Sequence, residues 1–152
     1  MAVDWSEAGR VVVLLSGPPG AGKTTAARAS GLMVFDRDDP QWSGEKEFRS
    51  ALERLGRDRT AQAVVIRSAA AASTRDQVAR LVGATHRFVV LADLKTCERR
   101  VVERGRSDAR HTLAGLPRWF AAFDRRDGVL DFPGWPTVSG MGYDLGITAE
   151  TW

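Results

Sequence analysis

The stretch Val11-Val12-Val13-Leu14-Leu15-Ser16-Gly17-Pro18-Pro19-Gly20-Ala21-Gly22-Lys23-Thr24-Thr25 decides the fold. Its first five residues are aliphatic and mostly β-branched, the composition of a buried strand. Thr24 to Ala29 can start a helix. Between strand and helix, residues 17–24 fit G-x-x-x-x-G-K-[ST], the phosphate-binding P-loop. Each part of that loop has a physical task. The glycines let the backbone turn so that successive N–H groups point at phosphate oxygens. The new helix adds its positive end to the same spot. Gly17, Gly20, Ala21, Gly22, Lys23, Thr24 and Thr25 are therefore the expected nucleotide-binding set. Lys23 would reach the β- and γ-phosphates of ATP, and the Thr24 hydroxyl would hold Mg²⁺. Lysine is otherwise scarce. Of 22 Lys and Arg residues, only Lys23, Lys46 and Lys95 are Lys, so a compact ammonium is kept where the loop needs one.

The rest of the chain alternates strands and helices. Leu32 to Phe35 reads as a second strand, running into Asp36-Arg37-Asp38-Asp39. A helix over Glu45 to Leu55 carries Phe48, Ala51, Leu52 and Leu55 on one face and is expected to stop at Gly56. Ala63 to Ile66 reads as a third strand ending in Arg67-Ser68. Ser73-x-x-Asp76 has the form of a capping box for a helix over Thr74 to Val82. Phe88 to Ala92 reads as a fourth strand, with Asp93 as N-cap of a helix from Leu94 to Arg104. Arg106 to Gly115 reads as a polar loop, and Pro117 as the start of a helix bearing Trp119, Phe120 and Phe123. The segment from Val129 supplies either a fifth strand or a wrapping tail.

Apolar strands separated by helices imply an α/β fold: a three-layer P-loop NTPase architecture with a mainly parallel sheet of four to five strands. The 152 residues are expected to form one domain, irregular from about residue 129. Ligands of such sheets bind at the carboxyl ends of the strands. The P-loop, Asp36 to Asp39, Arg67-Ser68 and Asp93 should therefore ring one crevice. Single Cys97 excludes an internal disulfide and fits a reducing cytoplasm. The N-terminal residues carry acid and no basic region of the signal-peptide kind, and no run is long enough for a membrane span. The net charge of +3 permits an anionic partner without demanding one. Preference for Arg and Ala also follows from a GC-rich genome.

A kinase needs a carboxylate for the acceptor hydroxyl and positive charge for the transferring phosphoryl group. If the second strand persists, Asp36 and Asp38 share one side and Arg37 faces the other. One of the two is the candidate base. Arg99, Arg100, Arg104, Arg106 and Arg110 are candidates for a lid. Arg104, at the helix end before Gly105, is best placed to move, while Arg99 or Arg100 belongs on a solvated helix face. Trp42 could stack on a base, Trp119 belongs in the core, and Trp135 could lie near the adenine. His86 reads as a core residue; His111 could join the lid.

The combination of GPPGAGKTT, FDRDD and ERRVVERG resembles P-loop kinases of the polynucleotide 5′-kinase type, including phage members. The resemblance spans residues 11 to 125. It implies Asp38 as general base, with Asp36 as fallback, and Arg104 as the lid arginine. Two positions depart from the family pattern. Gln41 stands where an acceptor-contacting Arg is usual, and Arg67-Ser68 follows the third strand where an Asp is usual. Arg37, Arg67 and Gln41 are then the acceptor-side candidates, with Arg75 as possible help. The missing strand-three acid argues against an ATP-driven motor. The resemblance implies a nucleotide donor and transfer to a nucleic acid or nucleotide hydroxyl. A nucleoside or nucleoside-monophosphate kinase, or an ATP-binding interaction protein without acceptor chemistry, are the alternatives. No motif separates ATP from GTP.

Overall fold

A computed structural model describes residues 3–141. The order of elements is β1 (Val11–Ser16), α1 (Lys23–Arg28), β2 (Met33–Asp36), α2 (Glu45–Arg57), β3 (Gln62–Arg67), α3 (Ala72–Val82), β4 (His86–Val89), α4 (Leu94–Arg104), α5 (Ala109–Ala122) and β5 (Leu130–Asp131). The strands form one five-stranded sheet in the order β2-β3-β1-β4-β5, and every pairing is parallel. Residues 135–141 are helical. Among the described residues, no helix is long and apolar enough to cross a membrane.

β1 sits between β3 and β4, and its six residues are all buried. Alternation along the strand divides the core into two layers. Val11, Val13 and Leu15 pack with Ala27 of α1, Trp5, Trp135 and Val138. Val12 and Leu14 pack with Phe48, Leu52 and Leu55 of α2 and Val78, Ala79 and Val82 of α3. Burying an aliphatic side chain of this kind is worth about 1.5–3 kcal/mol. The chain leaves β1 on the α1 face and β3 on the α3 face. The carboxyl ends of these neighbouring strands thus open a crevice between diverging connections.

α1 has only six residues and depends on its surroundings. Two indoles satisfy carbonyls near its C-terminal end: Trp135 Nε1 donates to Ala26 O (2.6 Å) and Trp5 Nε1 to Ser30 O (2.8 Å). On the other layer, the Arg10 guanidinium donates to Leu55 O, Asp58 O, Val82 O and Gly83 O, tying together the C-terminal ends of α2 and α3. Trp135 is therefore a core residue beneath the P-loop helix rather than a platform for a base. Trp119 is buried, as expected, with its N–H on Ser68 O.

Four boundaries differ from expectation, each for a packing reason. Gly56 lies inside α2; a Cβ there would come within 2.2 Å of Leu81 O, so this glycine serves the approach of α2 to α3. α3 begins at Ala72 without a side-chain cap, because Asp124 Oδ2 accepts the Ala72 N–H from outside (3.2 Å) and Ser73 is already helical. β4 starts earlier, at His86, and ends at Val89, with its last two residues paired to β1 on one edge and to β5 on the other. Arg106 to Gly115 is largely helical, and Pro117 lies inside α5. Burial of Leu116 against Cys97 and Val101 of α4 outweighs the missing N–H of the proline.

Gly56→Ala is expected to destabilise the fold by about 1–3 kcal/mol through overpacking. A chemical-denaturation midpoint equal to that of the wild type would contradict this packing role.

Candidate active site

The P-loop is pressed against the start of α4. A Cβ at Gly17 would lie 2.3 Å from Val90 O, and one at Gly20 would lie 2.6 Å from Cys97 O. Gly20 also has φ +81°, a left-handed conformation that side chains disfavour. Ala21 turns its methyl into the cluster of Cys97, Val101 and Leu116, and its N–H bonds Pro18 O (3.2 Å). From α4, Arg100 donates to Gly20 O (3.2 Å). Burial pushes the Cys97 thiol above its ordinary range, so it sits there as packing.

Lys23, the first residue of α1, folds back over the loop. Its Nζ donates to Gly17 O (2.5 Å) and Pro18 O (3.0 Å). The ammonium is thereby held where the loop's own oxygens satisfy it. Burial, and then the neighbouring Arg104 guanidinium, push its pKa from 10.5 down to about 8, against the pull of Asp36. Next along the helix, Thr24 Oγ1 bonds Asp36 Oδ2 (3.2 Å).

β2 ends at Asp36, and a turn closed by Asp39 N–H on Asp36 O (3.0 Å) follows. The expected alternation of Asp36 and Arg37 therefore does not apply. The turn brings Asp36, Arg37 and Asp38 all to one cavity of about 420 Å³. Asp36 Oδ1 accepts the Asp38 N–H (3.0 Å), which fixes the turn. The same cavity is lined by Lys23 and Thr24, by Arg67 and Ser68 at the end of β3, by Arg104 at the end of α4 and by Arg106 beyond it.

Charges cross this cavity in pairs. Arg106 Nη1 lies 3.4 Å from Asp38 Oδ2, and Glu45 Oε2 lies 2.8 Å from Arg37 Nε. Glu45 Oε1 reaches Arg67 Nη2 at 3.6 Å, and the Arg67 guanidinium also rests 5.6 Å from the Phe48 ring centre. The hydrogen bond from Arg37, helped by Arg67, holds the Glu45 carboxyl below the usual carboxylate range.

Of the sequence-derived set, Gly20, Lys23, Thr24, Asp36, Arg37, Asp38, Arg67 and Arg104 meet at this cavity. Gln41 does not line it; its N–H serves the turn by bonding Asp39 Oδ1 (3.0 Å). Thr25 is exposed on α1. Trp42 packs on Phe35 and Phe48 and donates to Asp36 O (3.0 Å), so it braces the turn from the core side. Arg75 is fully buried, held by Asp127 (2.8 Å) and the carbonyls of Ala69, Ala70 and Asp124, away from any acceptor. Arg99 pairs with Glu103 on the solvent face (3.7 Å). His86 is buried beside Thr85, and burial lowers its pKa to about 4. His111 is exposed on α5.

Sequence reasoning missed Glu45 and the role of Arg100. The i, i+4 spacing of Arg100 and Arg104 places them on one helix face and was a readable signal. Glu45 opens the helix that follows β2, where the crevice rule would have included it. Thr24 and Asp36 are a hydroxyl and a carboxylate together at the head of the P-loop helix, a donor pair that fits a magnesium ion completed by phosphates and water.

No protein-family model matches the chain, and no curated protein matches it. Solved structures do match. A gluconokinase from Sinorhizobium meliloti 1021 aligns over 93% of this chain and 94% of its own, at 20% identity and TM-score 0.54. The protein APE1195 aligns over 94% of this chain and 96% of its own, at 20% identity and TM-score 0.53.

The Lys23 shift has a stability consequence. Its folded pKa lies below the unfolded one, so the cost of burying the ammonium is full below about pH 8 and is relieved as pH rises toward 10.5. Nucleotide-free Lys23→Met is expected to melt above the wild type at pH 7, with the advantage shrinking by pH 10. Thermal unfolding at several pH values measures this; a pH-independent difference would refute it. Across more than nine-tenths of their lengths, the chain and the gluconokinase share one α/β fold.

Proposed function

We propose that this protein is an ATP-dependent phosphotransferase acting on the hydroxyl of a small molecule. One observation carries the reading: the P-loop with Lys23, two carboxylates at the end of β2 and the arginine that ends α4 line a single cavity. Lys23 leaves the Gly17 and Pro18 carbonyls for the donor phosphates, and Arg104 approaches the γ-phosphoryl group. Asp36, bonded to Thr24, supports the metal position. Asp38, free of that bond, accepts the proton of the acceptor hydroxyl. The acceptor oxygen then bonds the γ-phosphorus while the bond from that phosphorus to the β–γ bridging oxygen breaks, and ADP departs. When bound, Mg²⁺ supplies charge neutralisation across the β- and γ-phosphate oxygens. Positioning and electrostatics are expected to provide most of the rate.

A small acceptor is supported over a polynucleotide end. The cavity, at about 420 Å³, is of small-molecule size, and ion pairs from Arg106 and Glu45 span its acceptor side. A nucleoside or nucleotide satisfies these limits, as does a non-nucleotide alcohol. One structural neighbour is by name a kinase of the latter sort. Asp38→Asn is expected to lower γ-phosphate transfer by about 10²–10⁴-fold while leaving ATP binding nearly unchanged. Radiolabelled transfer to a panel of nucleosides, nucleotides, small alcohols and 5′-hydroxyl oligonucleotides measures it. Full activity in the mutant removes Asp38 as base. Transfer to oligonucleotides alone would restore the polynucleotide reading, and no transfer to any acceptor would favour an interaction protein.

A further inference from the structure

The acceptor side of the cavity holds two arginines that the donor does not need. In the sheet order β2-β3-β1, Arg67 ends the strand beside the P-loop strand, and Arg37 follows the strand beyond it. At about 4.8 Å per strand, they lie one and two strand spacings from the phosphate cradle, on the acceptor flank. Both point a guanidinium at one carboxylate, that of Glu45, and they take different oxygens of it. A bridging carboxylate between two arginines describes what this subsite binds.

We propose that Arg37 and Arg67 form an anion subsite for an acidic group of the acceptor, and that Glu45 occupies it as a built-in competitor. The acceptor is then a small alcohol that also bears a carboxylate or a phosphate.

Three observations make Glu45 a displaceable occupant rather than a structural one. Its side chain is 62% exposed, and exposed ion pairs are weak because water screens them. It lies at the first position of α2, so its departure breaks no helical hydrogen bond. Arg67 has a second contact, over the Phe48 ring, and the backbone that carries Arg37 is fixed by the Asp36 turn independently of Glu45. The incoming anion would exchange one carboxylate for another with little rearrangement. Neutral alcohols would leave Glu45 seated and gain nothing from the pair, so Glu45 also sets selectivity. The term acceptor rests on the phosphotransferase reading; the anion subsite stands on the geometry alone.

The test uses nucleotide-free full-length protein and needs no phosphoryl transfer, so it can fail or succeed independently of that reading. Glycerate, glycerol 3-phosphate and glycerol are titrated into wild type, Glu45→Gln, Glu45→Ala and Glu45→Gln/Arg67→Gln, following the Nε–H NMR signals of Arg37 and Arg67. Glu45→Gln and Glu45→Ala should each bind at least one of the anions about tenfold more tightly than wild type, a gain that the loss of Arg67 removes. The preferred anion separates carboxylate from phosphate recognition. Glycerol should bind no better to either variant. Equal anion affinity in wild type and both single variants, a gain shared by glycerol, a gain that survives loss of Arg67, or no anion shift at these arginines in any variant would each overturn the proposal.

Discussion

The site depends on how closely the P-loop backbone meets the chain around α4. Gly17 against Val90 and Gly20 against Cys97 leave no space for a side chain, so the loop is moulded by a neighbour as well as by its own turns. That contact fixes the height of α1, and α1 in turn presents Lys23 and Thr24. Arg100 adds a charged hydrogen bond to the same junction. The helix bearing the candidate lid arginine is thus the helix that shapes the phosphate cradle. Arg104 lies beyond Val101, past the turn of α4 that is committed to the loop.

Electrostatics organise the remainder of the cavity. Lys23, Arg37, Arg67, Arg104 and Arg106 face Asp36, Asp38, Glu45 and Asp108 across its walls. Lys23, Arg37, Arg67 and Arg106 each find a protein partner there instead of remaining desolvated and unpaired. The order of the strands then sorts the charges, with the P-loop at β1, Arg67 at β3, and Asp36, Arg37 and Asp38 at β2.

Much of this was legible in the sequence. The P-loop between an aliphatic run and a helix identified β1, α1 and the parallel sheet, because local composition and turn chemistry agree there. Asp93 capped α4 as expected, accepting the Thr96 N–H at 2.8 Å. What failed was governed by tertiary contact. Gly56 looks like a helix stop yet serves a close helix crossing, and Pro117 looks like a helix start yet lies within one. Arg75 resembles a spare functional cation, but its burial with Asp127 is decided by residues some fifty positions away, which no local pattern encodes. The turn after Asp36 shows the same limit, since strand alternation predicts opposite sides only while the strand continues.

The Trp135–Ala26 bond joins residues 109 positions apart. It ties the foundation of the P-loop helix to a segment far along the chain, next to the indole of Trp5, whose ring centre is 6.0 Å from that of Trp135. During synthesis, the P-loop sequence leaves the ribosome before residues 135–138, whose emergence closes the layer beneath α1. Seating of α1 therefore waits on residues 109 positions downstream of Ala26: a nascent chain carries the P-loop motif long before the helix behind it is held in place.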